Sequence, residues 1–582
     1  MRTWKTLPLA ALAAIPALAQ LTYNGNGCGA LNSADFQTTE VFNKNGSAGA
    51  VADSGLSEPT RMDVRVVNNK DGVYDHSDIY FVERFGNVKY YDGTARKVSL
   101  MGKISVHAKK EDVTTPGKSD YGRGDDNGLM GMALHPDFAI NRWMYFWYSP
   151  EKMLGLNRLL RLSRITARPD NTLDMGTEKV LIEIIGSKTD WWHSGGPMTF
   201  DAYGDLWVAV GNNSQDLNPG SLNVMSHTDS TASSEWGSSN THSLRGGFFR
   251  IHPDSSAKGY SIPRGNFGEY WADHFEKMGR KDLAAQYRDT SKVLPEVYVK
   301  GERSNFSVAV HPTKRWLAWG TVNFASVYDE FNITDHPIFS GYPYFEGNNV
   351  RTGSHTLDPL APKNTSPLNS GVQELPPAIP GTINNLVNIS ISGPIYHFDP
   401  SLNSVTKFPP HFDNKWLVAG FSGGMWAITL DTNSLQPIDT LEVDNGLFNS
   451  FKIRNHVMSM YGKDGALYIL NYSGGYNNAS NPGAMRVIYK GSCHVPVSTG
   501  IPVIDANRKI VLSPSTLKVD EPGTHQFDLY DLSGHRVFMA IGSEGAEYRF
   551  AELSRRKALP PGIYMVRVRT AQGLFAHRIS LF

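Results

Sequence analysis

A tight turn followed by a strand with an aromatic near the same place recurs along this chain. It stands at Gly204-Asp205-Leu206-Trp207-Val208, at Lys314-Arg315-Trp316-Leu317-Ala318 and at Asp464-Gly465-Ala466-Leu467-Tyr468-Ile469. Pre-turn strands such as Pro197 to Phe200 and Phe306 to Val310 complete the unit. A small antiparallel sheet cannot cover both of its faces alone. Repeated sheets of this kind bury them against one another, which points to an all-β fold of the β-propeller type. A sandwich is the alternative, but a single sandwich rarely extends over so long a stretch. From Asp78 onward strand follows strand, among them Ile79 to Arg84, Trp143 to Tyr148, Leu159 to Ala167 and Trp416 to Ile428. Helical spacing is confined to Tyr270 to Tyr287, which reads as one helix inside an inter-blade insertion.

The chain has 582 residues, too many for one ordinary core. Its 55 Gly and 33 Pro supply the turns that an all-β chain needs. Lys+Arg and Asp+Glu balance at 56 each, so there is no basic field for nucleic acid and no polybasic patch for a membrane surface.

Residues 1–19 read as a signal peptide. Arg2 and Lys5 are a positive start, Leu7 to Leu18 is apolar, and Ala17-Leu18-Ala19 has the small-x-small form of a cleavage site. That apolar run is too short to span a bilayer, and no later stretch reads as a transmembrane helix. The expectation is a secreted or cell-surface protein. Cys28 and Cys493 are the two cysteines, and neither has a neighbouring Cys or His at metal-site spacing. One disulfide between them is expected, with two unpaired thiols as the alternative.

The most chemically suggestive stretch runs from Asp190-Trp191-Trp192-His193-Ser194-Gly195-Gly196 to Gly211-Asn212-Asn213. It reads as loop, strand, turn and return strand, which would bring Asn212 and Asn213 back beside His193. A histidine with a polar partner at a strand end, open to a ligand, can act as a general base. The competing reading is a loop histidine satisfied by its neighbours.

Residues from about Ser57 to Lys490 resemble the glucose/sorbosone dehydrogenase family, the soluble pyrroloquinoline-quinone-dependent sugar dehydrogenases. The resemblance rests on stretches in order: Asn127-Gly128-Leu129-Met130-Gly131-Met132-Ala133-Leu134-His135-Pro136-Asp137-Phe138, His193-Ser194-Gly195-Gly196, Leu244-Arg245-Gly246-Gly247, Pro295-Glu296-Val297-Tyr298, Arg303, Asp329-Glu330-Phe331-Asn332 and Gly341-Tyr342-Pro343. It implies a six-bladed propeller over residues 20–490 that oxidises the anomeric hydroxyl of an aldose or oligosaccharide. Hydride would pass to pyrroloquinoline quinone (PQQ), Ca²⁺ would polarise the quinone, and an external acceptor would take the electrons. Carried over by position, His193 is the base with Asn212 beside it. Asn127, Arg303 and Arg454 lie at the quinone, and Asp329 with the backbone near Gly320 lies at the calcium. The chain departs from the family at Gly211-Asn212, where Gly-Asp is usual, at Gly320-Thr321, where a Gly-Pro is usual, and at Ser340, in place of a tyrosine. An amide cannot stabilise an imidazolium as a carboxylate does. A non-catalytic carbohydrate-binding propeller, or a structural surface protein, is the alternative.

After residues 491–508, which read as a linker, the pattern changes. Phe527 to Val537 alternates around a Ser-Gly turn, and Gly562-Ile563-Tyr564-Met565-Val566 gives a further strand. Residues 509–582 resemble the small Ig-like β-sandwiches that serve as C-terminal sorting domains of type IX secretion, which implies a secretion machinery as partner. An accessory sandwich that binds sugar or caps the propeller is the other reading.

Overall fold

A computed structural model describes residues 30–581 apart from 69–73, 109–125, 153, 155–157, 187–191, 215–229, 231–232, 325–328, 353–354, 445, 449–454, 476–477, 492, 494–509, 513–515, 532–535, 551, 554–558, 560–561 and 572. The expected signal peptide, Cys28, Trp191 and Arg454 lie outside the described residues, as does most of the expected linker. The chain divides into two compact units, Met1–Val495 and Pro496–Phe582.

The first unit is built from largely antiparallel sheets taken in chain order. The first sheet holds Pro59–Asn68, Tyr74–Glu83, Asn87–Asp92 and Lys97–Lys103. The second holds Leu129–Leu134, Trp143–Tyr148, Leu159–Ala167 and Leu173–Ile185. The third runs Met198–Phe200, Leu206–Val210, Gly247–Pro253 and Tyr260–Ser261, with Val297–Lys300 also paired to Gly247–Pro253. Ser304–Val310, Leu317–Val322, Glu330–Thr334 and Ile383–Asn384 form the fourth, and Ser390–Ile395, Lys415–Gly420, Met425–Leu430 and Pro437–Glu442 the fifth. The sixth joins the unit's two ends: Phe36–Asn43 pairs with Gly483–Tyr489, beside Leu467–Asn471 and His456–Tyr461.

The first strands of these sheets touch in sequence. Pro59–Asn68 packs on Leu129–Leu134, that on Met198–Phe200, and so on through Ser304–Val310, Ser390–Ile395 and His456–Tyr461. His456–Tyr461 returns to Pro59–Asn68, so the contacts close into a ring. Apolar residues fill each junction. Val82 and Met132 share one cluster, Trp147 meets Phe249, and Phe248 meets Trp319. Phe331 then meets Trp416, Leu417 and Ile469 share one cluster, and Phe42 stacks on Phe81. The recurrent aromatics Trp207, Trp316 and Tyr468 are all buried in these junctions. A strand buried on both faces, such as Leu206–Val210, is continuously apolar.

The expected single helix is instead two, Phe267–Lys277 and Lys281–Arg288. Gly279 separates them in the left-handed region at φ +80°. Its N–H reaches Glu276 O (2.9 Å) and the Arg280 N–H reaches Phe275 O (2.8 Å), a paired closure of the helix end that an achiral residue makes inexpensive. Cys493 is buried and disulfide-bonded.

The second unit has two sheets around one core. Ile510–Leu512, Thr516–Val519 and Ala546–Arg549 form one; Arg536–Ser543, Thr524–Tyr530, Gly562–Thr570 and Gly573–Leu581 form the other. Leu517 and Val519 from the first share that core with Phe527, Leu529, Val566 and Val568 from the second. Among the described residues, no helix is long and apolar enough to cross a membrane.

Candidate functional site

The hairpin that carries the site is locked at its turn. Met198 pairs with Val208 and Phe200 with Leu206. The Asp201 carboxylate accepts from Tyr203 N (2.8 Å) and Asp205 N (3.0 Å), and its other oxygen accepts from Trp207 Nε1 (3.0 Å). This aspartate closes the turn by bonding its own backbone and then anchors the recurrent tryptophan. The register returns Asn212 to His193.

His193 Nδ1 lies 2.9 Å from Asn212 Oδ1. Asn212 is fully buried, and its Nδ2 donates to Ser234 Oγ (3.2 Å), which leaves Oδ1 as the acceptor. Nδ1 therefore carries the proton and Nε2 keeps its lone pair. His193 is half-buried, and the neighbouring Trp192 is 40% exposed, so this end of the hairpin is open to solvent. The backbone of His193 is left-handed at φ +56°, unusual outside glycine. Neighbours hold it there. Its N–H donates to Asp126 Oδ2 (2.9 Å), Trp147 Nε1 donates to the next carbonyl at Ser194 (2.9 Å), and Asn213 Nδ2 donates to the preceding one at Trp192 (2.9 Å). Gly211 has no room for a side chain: a Cβ there would sit 2.2 Å from His193 O.

A continuous run of hydrogen bonds connects this pair to other expected residues. Asn212 N donates to Arg303 O (2.7 Å). Arg303 Nη1 donates to Val322 O (3.0 Å) and Asn323 O (3.2 Å), and its guanidinium lies over the Phe324 ring. Asn323 N in turn donates to Asp329 Oδ1 (2.9 Å), while Ile389 N donates to Asp329 Oδ2 (2.6 Å). Burial pushes the Asp329 carboxyl up to about 6. Gly320 sits inside Leu317–Val322, paired with Phe331 on one side, its N–H donating to Ser307 Oγ (3.1 Å). Asn127 follows Asp126 and is buried. Its Oδ1 accepts from Ser149 Oγ (3.2 Å), and its Nδ2 is a buried donor with no partner among the described residues.

These residues suit a quinone better than a metal ion. An orphaned amide donor at Asn127 and a half-buried guanidinium at Arg303 match the acceptor oxygens of an anionic quinone. The Asp329 carboxylate is already engaged by two amides, and Gly320 is held in a strand ladder. Among the described residues, no group of three or more His, Cys, Asp or Glu side chains is arranged to hold a metal ion.

Three residues that shape the site escaped the sequence reading. Asp126 anchors the histidine backbone; its only signal is an acid beside Asn127-Gly128. Arg245 is buried, donating to Asn212 O (2.7 Å) and Asn213 O (2.6 Å). It was visible as part of Leu244-Arg245-Gly246-Gly247 but had no assignable partner. Glu302, fully buried beside Arg303, accepts from Trp319 Nε1 (3.0 Å) and from the Thr321 hydroxyl, and burial pushes it up to about 7.

An uncharacterised protein, slr1608, of Synechocystis sp. (strain ATCC 27184 / PCC 6803 / Kazusa) is 24% identical over 382 residues, 62% of this chain and 75% of that protein. Among solved structures, a glucose dehydrogenase is similar at 15% identity and a TM-score of 0.49, covering 78% of this chain and 100% of that one. A PQQ-bound aldose sugar dehydrogenase from Streptomyces coelicolor is similar at 15% identity and a TM-score of 0.44, over 78% and 98%. The family model described as Glucose / Sorbosone dehydrogenase matches residues 75–258, the segment that carries Asn127, His193 and Asn212 and a narrower one than the resemblance from 57 to 490.

Proposed function

We propose that this chain is an exported quinoprotein-type oxidoreductase that oxidises the anomeric hydroxyl of an aldose or oligosaccharide on a six-bladed propeller. The observation that carries the reading is the His193–Asn212 pair, with the amide of Asn127, which has no partner among the described residues, attached beside it through Asp126. The match of residues 75–258 to the sugar dehydrogenase family supports the reaction class. The closed ring of first strands supports the propeller.

His193 does the proton work. With Nδ1–H donated to Asn212, Nε2 accepts the proton of the anomeric hydroxyl as the C–H electron pair leaves. Pyrroloquinoline quinone, when bound with Ca²⁺, supplies the two-electron acceptor for that hydride. Asn127 Nδ2, Arg303 and Arg454 are the groups that would hold the quinone. Asp329 and the backbone near Gly320, expected at the calcium, are already engaged by two amides and by a strand ladder and offer it no open ligand set. Trp192 offers an exposed face to the apolar side of a pyranose. Electrons then pass to an external acceptor. Residues 1–19 direct export, and residues 509–582 act as an Ig-like sorting domain for the secretion machinery.

The test is calorimetry of the purified protein with PQQ and Ca²⁺, followed by turnover of aldoses. Calcium-dependent uptake with turnover lost in His193→Ala is the expected result, because a base acts on the transition state and not on cofactor anchoring. One observation favours a second reading, a sugar-binding propeller without catalysis: the partner of His193 is a neutral amide. Sugar binding without quinone uptake would establish it in place of the first.

A further inference from the structure

We propose that the axis of the strand ring holds a binding site for a small monovalent anion of the halide type. A narrow cavity is lined by Arg61, Ser307, Ser392 and Ser459, with apolar walls that include Phe306 and Met458. Those polar residues come from four of the first strands that close the ring, so the cavity lies where those strands converge. Arg61 is buried, with Nη2 donating to Phe306 O (2.9 Å) and its guanidinium over the Phe306 ring. Arg61 is the one charged side chain among the residues that line the space.

The serines add donors. Ser459 is 6% exposed, and its Oγ is buried without a partner among the described residues. Ser307 Oγ already accepts from Gly320 N (3.1 Å) and Ser392 N (2.7 Å), so its own proton must be donated elsewhere. A guanidinium beside two hydroxyl donors, in a space bounded by Phe306, Val308, Met198 and Met458, suits a compact anion with low desolvation cost. The site shares no side chain with the His193 pair and does not depend on the oxidoreductase reading.

The experiment is thermal unfolding of the full chain in sodium chloride, bromide and gluconate at one ionic strength, with diffraction from crystals grown in bromide. The expected result is a saturable rise of the midpoint in the two halides and an anomalous peak within hydrogen-bonding distance of Arg61 and Ser459. Ser459→Ala should weaken the apparent halide affinity about tenfold, one hydrogen bond to a charged group. Arg61→Met should abolish the effect; if that variant does not fold, Ser459→Ala decides. Equal midpoints in all three salts, water without anomalous signal in the cavity, or a halide effect undiminished in Ser459→Ala would each overturn the proposal.

Discussion

Asn212→Asp is the most informative single substitution, because it changes the charge beside His193 and little else. The carboxamide oxygen lies 2.9 Å from Nδ1, and the new carboxylate would occupy the same volume. Its second oxygen would take the Ser234 hydroxyl that now accepts from Nδ2, and the Arg245 guanidinium on the adjoining carbonyl would help to carry the buried charge. For charges about 4 Å apart at an effective dielectric of about 20, the attraction is about 4 kcal/mol, or about three pKa units on the imidazolium. Desolvation of a fully buried carboxylate reduces this, and a net rise of about one to two units is expected. The imidazolium formed as His193 takes the proton is stabilised by the same amount, so kcat should rise about tenfold to a hundredfold. The acid limb of kcat/KM should move to higher pH by about the same one to two units, because a more basic histidine is blocked by protons sooner. The assay is a pH–rate series on quinone-loaded protein, with thermal unfolding as a check on folding. An unchanged rate and an unmoved acid limb would refute the base role of His193.

Other outcomes follow from the same geometry. Asp126→Ala should lower kcat while leaving quinone uptake intact, because it frees the His193 N–H; Asp126→Asn, which keeps an acceptor, should recover most of the loss in steady-state kinetics. Glu302 is held at about 7 against an ordinary 4.5, so its stabilising share is complete below about pH 4.5 and is lost as pH rises through about 7. Glu302→Gln should therefore flatten the fall in Tm between about pH 5 and 8, by up to about 3 kcal/mol in unfolding free energy. If Cys493 is joined to Cys28, intact mass should rise by two hydrogens on reduction and denaturant resistance should fall, by about 2–5 kcal/mol for a bond closing so long a loop.

Most of the strand order was legible because its signals are local. The turn-then-aromatic units depend only on a short polar turn and on alternation or continuous apolarity after it, and Trp207, Trp316 and Tyr468 all proved buried. The helical stretch was misjudged for an equally local reason. Apolar spacing from Tyr270 to Tyr287 fits one long helix or two short ones, and Gly279 decides between them by its backbone angle and not by its hydrophobicity. The pairing of Phe36–Asn43 with Gly483–Tyr489 has no local signature, since it joins strands from opposite ends of the unit.

The site divides along the same line. The meeting of His193 with Asn212 was readable because one short hairpin joins them, and its register is pinned by Asp201. Asp126 and Arg245 were not, because each acts by holding backbone groups of residues far away in sequence. A side chain that bonds a carbonyl or an N–H needs no partner residue type to betray it. Glu302 illustrates the limit further. It lies beside Arg303 in sequence and is fully buried against Trp319 and Thr321. A charged residue pays for burial only when its donors are gathered from other strands, and that gathering exists in the fold alone. The meeting of a pair within one hairpin can thus be inferred before the structure, whereas the residues that hold its backbone emerge only when distant strands are brought together.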